Sequence, residues 1–94
     1  MSTRIFIPTP LRSYAGNSAE VEVEGGTIGE ALGSLVNEHP GLRDHLFDGD
    51  GRLRSFINIY LNDDDIRYLS EEETPVESRD TISIIPAIAG GATR

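Results

Sequence analysis

A chain of 94 residues with a net charge of −8, sixteen acids against eight arginines, has room for one small core and one domain. Its acidity repels phosphate backbones and anionic lipid head groups, so neither nucleic acid nor membrane is an expected partner; it suits a basic partner face and equally serves solubility. With no cysteine and no lysine, the chain offers no disulfide, no thiolate nucleophile, no Cys-ligated metal and no ε-amino acceptor for acylation.

The opening "MSTRIFIPTP" has an apolar run far too short for a signal h-region or a membrane span, and the expected location is the cytoplasm. "TRIFIP" puts Ile5 and Ile7 on one face and Arg4 and Phe6 on the other, a strand stopped by Pro8. "PTPLRSYAGNS" reads as a loop, and "AEVEVE" as a second strand with Val21 and Val23 inward, ended by Gly25 and Gly26. Together they make a hairpin.

The period then changes. Thr27 and Glu30 form a capping box, and Ile28, Leu32, Leu35 and Val36 recur at helical spacing until Pro40 enforces a stop. Gly29 and Gly33 weaken this helix, which points to close approach by another backbone. "GLRDHLF" predicts a short second helix, with Leu42 and Leu46 one turn apart. "GDGR" is a turn, and "SFINIYLN" a strand with Ile57, Ile59 and Leu61 on one face and Phe56, Asn58 and Tyr60 on the other. "NDDD" turns the chain into a short strand, "IRYL"; "SEEETPVESRD" is a polar loop; "TISII" is the last strand, with Ile82 and Ile84 inward, closed by Pro86.

The order β-β-α-β-β-β, with one main helix to cover one face of a mixed sheet, is an α+β two-layer arrangement. Pairing the first and last strands in parallel at the centre seats the helix over the middle of the sheet. That is the ubiquitin-like β-grasp. The expected division is a β-grasp domain over 1–86 and a flexible C-terminal tail over 87–94.

In that tail Pro86 ends the strand and "AIAGG" follows. Five extended residues reach about 17 Å, enough to enter a deep, narrow channel. Gly90 and Gly91 lack a Cβ, Ala87 and Ala89 are small, and Ile88 is the one anchor. A carboxylate at the end of such a tail can be activated by ATP as an acyl-adenylate. A sulfur nucleophile then yields a thiocarboxylate; an amine yields an isopeptide-type conjugate.

The chain resembles the MoaD/ThiS family of ubiquitin-like sulfur carriers over essentially its whole length. The matching pieces are "DTISIIPAIAGG", "FINIYLNDDDIRYL" and "IPTPLR". Within the family, "NIYLNDDDIRYL" with "IPAIAGG" looks most like the carriers that supply O-phosphoserine-dependent cysteine synthases. The resemblance implies that the Gly91 carboxylate is adenylated by an E1-like enzyme of the MoeB/ThiF type and converted to a thiocarboxylate. Ala87, Ile88, Ala89 and Gly90 would thread into the active sites of that enzyme and of a sulfur-accepting enzyme such as a cysteine synthase. ATP would be used by the activating enzyme, and the carrier itself would bind no cofactor and no metal. Most of the family ends at the glycine pair, whereas here Ala92, Thr93 and Arg94 follow. Some relatives with such extensions are trimmed by a JAMM-type zinc metalloprotease, and the resemblance implies cleavage after Gly91.

Phe6, Phe56 and Tyr60 are expected on the sheet face away from the helix, where exposed aromatics make a docking surface for the activating enzyme. Asp63, Asp64 and Asp65 lack the spacing of a calcium loop and read as a solvated turn; Glu71, Glu72 and Glu73 read likewise. His39 belongs to a helix end, and His45 has no second ligand at a useful spacing. Nothing supplies a nucleophile, a base and oxyanion donors together, so the chain is expected to be a co-substrate and not an enzyme. Three other readings share the tail: the small subunit of molybdopterin synthase, a modifier conjugated to protein lysines, and an interaction module whose tail is inert.

Overall fold

Strict alternation builds β1 (Ser2–Phe6) and β2 (Glu20–Glu24), which pair antiparallel from Ser2↔Glu24 to Phe6↔Glu20. Ile5 and Val23 face the core, while Arg4, Phe6 and the three glutamates of β2 face out. The computed structural model describes residues 2–86.

The segment expected as a loop after β1 is instead a 3-10 helix over Thr9–Ala15. Pro10 suits a first turn, where a missing N–H costs nothing, and the Leu11 N–H bonds the Pro8 carbonyl at 2.9 Å. Leu11 and Ala15, four residues apart, are both buried, and burial of that pair stabilises the turn.

Helix α1 (Ile28–Glu38) begins as its capping pattern requires. The Glu30 N–H donates to Thr27 Oγ1 at 3.2 Å, and Glu30 Oε1 accepts from the Gly26 N–H at 2.8 Å, one residue before the usual partner. Ile28, Ala31, Leu32, Leu35 and Val36 form its buried stripe, and the His39 N–H makes the last bond, to Leu35, before Pro40. A Cβ on Gly25 would come within 2.6 Å of the Ala31 nitrogen, so only glycine lets β2 turn into α1 here. The expected backbone approach holds at Gly29, where a Cβ would sit 3.2 Å from the Glu72 carbonyl oxygen. It fails at Gly33, which has nothing within 4 Å. Helix α2 (Arg43–Leu46) follows a single 3-10 turn over Pro40–Leu42; the turn buries Leu42 and the helix Leu46.

Strand β3 (Ile57–Leu61) turns through Asn62, at φ +58°, into the two-residue β4 (Asp64–Asp65). The expected strand "IRYL" is a 3-10 turn over Ile66–Tyr68. Asp65 caps it by accepting the Arg67 N–H at 2.9 Å, and Ile66 turns into the core. The stretch after it, expected as a polar loop, is part of the body. Its Thr74 and Val76 are buried, and two backbone bonds staple it to the start of α1: Ile28 N–H to Thr74 at 3.0 Å and Val76 N–H to Gly26 at 2.9 Å.

Strand β5 (Thr81–Pro86) lies parallel to β1 (Ile5↔Ile82) and antiparallel to β3 (Ile59↔Ile84). Among the described residues the sheet has five strands in the order β2-β1-β5-β3-β4, the β-grasp arrangement. Its inner face, with Ile5, Ile59 and Ile82, closes on Leu32 and Leu35 of α1 in one core. No described helix is long and apolar enough to cross a membrane.

Candidate functional site

The outer face of the sheet is arranged by the registers of its three central strands. Phe6 pairs with Ser83 across the parallel β1–β5 ladder, Tyr60 pairs with Ser83 across β3–β5, and Asp65 stands opposite Tyr60. With Glu20 opposite Phe6, one row runs Glu20, Phe6, Ser83, Tyr60, Asp65 across the sheet. Ser83 is the small residue between two aromatics. Phe6 is 42% exposed and Tyr60 is half-buried. Phe56 stands in the turn just before β3 and is 46% exposed, next in sequence to the Ile57–Pro86 pair that ends the β3–β5 ladder.

Ile85 is a further member of this surface. It is 45% exposed, pairs with Asn58, and lines an open groove beside Phe6 together with Pro8, Arg12 and Ser83. Sequence reasoning missed it, although the signal was present: with Ile82 and Ile84 inward, Ser83 and Ile85 must point outward. The expected docking trio is thus two residues in one row, a third at the sheet's end, and an unforeseen isoleucine on the strand that leads to the tail.

Charge flanks the row on both sides. Arg4 pairs with Glu20 at 3.7 Å, an exposed contact of small energetic weight. At the other side Arg67 lies against Asp65 at 3.3 Å and donates a hydrogen bond to the Asn58 side-chain oxygen. The Arg67 backbone N–H, and then its guanidinium, hold the Asp65 carboxyl below its ordinary value; the same carboxylate raises Arg67. Of the aspartates expected as a solvated turn, Asp63 and Asp64 are exposed, but Asp65 is mostly covered by this arrangement. Glu71, Glu72 and Glu73 form an exposed 3-10 turn. His39 caps α1, and the His45 ring stacks on Tyr14 at 4.2 Å. Among the described residues, no three His, Asp or Glu side chains converge to hold a metal ion.

The tail positions Ala87, Ile88, Ala89, Gly90 and Gly91, and the extension Ala92, Thr93 and Arg94, lie outside the described residues. The strand that leads to them is described. After Ser83, β5 leaves β1 and is paired through Ile84, Ile85 and Pro86 with β3 alone. Pro86, the last described residue, therefore stands at the end of the sheet that carries Phe56 and Ile85.

The profile of the ThiS family matches residues 5–91. The sulfur carrier protein CysO of Mycobacterium tuberculosis (strain ATCC 25618 / H37Rv) is 36% identical over 93 residues, covering 97% of this chain and 100% of that one. In the crystal structure of the Amycolatopsis orientalis BexX/CysO complex, the matched chain superposes with a TM-score of 0.86 at 37% identity, over 95% of this chain and 99% of that one. Small archaeal modifier protein 1 of Haloferax volcanii is 34% identical over 83 residues, 86% of this chain and 91% of that protein.

Proposed function

This chain belongs to the ThiS family, and from that premise we propose that it carries sulfur as a thiocarboxylate on Gly91 and delivers it for cysteine synthesis. Its relatives are small sulfur-carrier proteins, substrates of other enzymes, and this chain is a protein co-substrate in the same sense. The observation that carries the finer reading is where the family match stops: at Gly91, with Ala92, Thr93 and Arg94 beyond it.

Hydrolysis of the Gly91–Ala92 amide by a JAMM-type metalloprotease would free the Gly91 carboxylate. An E1-like adenylyltransferase would then join that carboxylate to the α-phosphate of ATP, releasing pyrophosphate. A sulfur nucleophile would displace AMP and leave the thiocarboxylate. The protein supplies no reacting side chain to these steps. It supplies a terminus thin enough to enter a channel and a surface to grip: Phe6, Tyr60 and Phe56 with Ile85 beside the outgoing strand. Its surface charge favours a partner face that is basic around an apolar centre.

The test is the intact mass of the protein recovered from its own cells. Loss of Ala-Thr-Arg together with replacement of one oxygen by sulfur supports the reading. A population that is entirely full-length and unmodified sinks it. A second reading is favoured by the 34% identity to an archaeal modifier protein: conjugation of Gly91 to lysines of other proteins. A lysine-free chain cannot build lysine-linked chains on itself. Peptides carrying an "AIAGG" remnant on target lysines would establish it.

A further inference from the structure

Three of the eight arginines, Arg52, Arg54 and Arg67, line one cavity of about 290 Å³ on the flank of β3. In a chain with sixteen acids and eight arginines, a lining in which three arginines match three acids, Asp65, Glu71 and Glu72, is an exception. Arg67 is already occupied by Asp65 and Asn58. Arg54 is anchored but not neutralised: its Nε donates to the Asp44 carbonyl at 2.8 Å, which leaves the rest of the guanidinium fork available. Among the described residues, neither Arg52 nor Arg54 is in an ion pair. Asp48 feels the charge of both, but its Oδ1 is taken by the backbone N–H groups of Asp50 and Arg52, at 2.8 and 3.1 Å.

The same cavity is also lined by Glu71 and Glu72, which are not ion-paired among the described residues either. Its floor is apolar and reaches the core side chains Ile57 and Ile59. Each wall rejects part of the ligand space. A plain anion meets the two glutamates, a plain cation meets the two arginines, and a ligand polar throughout leaves the isoleucines facing nothing apolar. Arginine forks match carboxylates in geometry as well as charge. The volume lies at the small end of the range for ligand sites.

We propose that this cavity binds a free α-amino acid with an aliphatic side chain. Its carboxylate lies on Arg52 and Arg54, its ammonium on Glu71 and Glu72, and its side chain over Ile57 and Ile59. The site meets the outer-face row only at Asp65 and includes none of Phe6, Tyr60 or Ile85, and the inference stands whether or not Gly91 carries sulfur.

L-Leucine is the probe, titrated into the full-length protein and followed through backbone amide shifts. Two blocked analogues remove one charge each: leucinamide lacks the carboxylate and N-acetyl-L-leucine lacks the ammonium. The expected result is saturable shifts confined to residues 52–59 and 65–72. Affinity should fall at least about tenfold with either analogue and with Arg52→Gln or Glu72→Gln, the effect of removing one charge-assisted hydrogen bond. The unliganded spectra of both variants report whether they remain folded. No saturable shift up to the solubility of leucine overturns the proposal. So do shifts located elsewhere, such as at Phe6, Ser83 and Ile85, or equal affinity for leucine and both analogues.

Discussion

Phe6 and Tyr60 stand in the same row across the sheet, each paired with Ser83 from opposite sides. They come from strands more than fifty residues apart in sequence. What joins them is the insertion of β5 between β1 and β3, so the strand that leads to Gly91 also spaces the two aromatics. A partner that grips this row is held at a fixed offset from the start of the tail.

Replacing Phe6 by Asp should therefore leave the fold intact, because the ring is 42% exposed, yet slow activation by the adenylating enzyme. Removing a central aromatic side chain from an interface is expected to weaken binding about tenfold or more. Pyrophosphate exchange measured against enzyme concentration reads this directly, with circular dichroism as the control for folding. An unchanged exchange curve for both Phe6→Asp and Tyr60→Ala would remove the outer face from the docking reading.

In a chain already trimmed to Gly91, deleting residues 90–91 should abolish thiocarboxylate formation while the amide spectrum of residues 2–86 stays the same. Mass spectrometry after incubation with the activating enzyme, ATP and a sulfur source checks it. Persistent sulfur transfer by the truncated chain would show that the glycine pair is not the reacting end.

Gly29 and Gly33 lie one turn apart on α1, yet they should respond differently to alanine. At Gly33 nothing lies within 4 Å of the new Cβ, and the gain in helix propensity, up to about 1 kcal/mol, should appear as a higher melting temperature. At Gly29 the new Cβ would press on the Glu72 carbonyl at 3.2 Å, which offsets that gain. Gly33→Ala should melt above Gly29→Ala; the reverse order would contradict the packing of residue 72 against the helix start.

Acid should weaken the fold through Asp48 and Asp65, both held below 3.8: Asp48 chiefly by the Arg52 N–H, Asp65 chiefly by the Arg67 N–H. A carboxyl whose folded pKa is depressed adds stability above its unfolded pKa, and that stability is lost as the pH falls through the folded value. The urea midpoint should accordingly decline below about pH 4, and Asp65→Asn should flatten part of that decline. If the variant's midpoint follows the same pH curve as the parent, the Asp65–Arg67 contact contributes nothing in solution.

Much of the architecture was legible in the chain because its signals are local. Val21 and Val23 alternate with glutamates, Thr27 and Glu30 mark the helix start, and Pro40 marks its stop; each needs only neighbours within one helical turn or two strand positions. One main helix over several short strands also limits the sheet to few orders, and the parallel β1–β5 centre followed. Ile85 was equally legible, since alternation alone turns it outward.

Periodicity and capping are properties of adjacent residues, and they were enough to define the main strands, the helix and the outward set of side chains. The closed fold was needed for the 3-10 turns at Thr9–Ala15 and Ile66–Tyr68 and for the stapling of Thr74 and Val76 to the start of α1. It was needed too for the meeting of Arg52 and Arg54 with Glu71 and Glu72 around one cavity. These segments are too short to carry a period, so their conformation follows from which distant backbone or apolar surface they meet, and only the closed core brings those surfaces within reach.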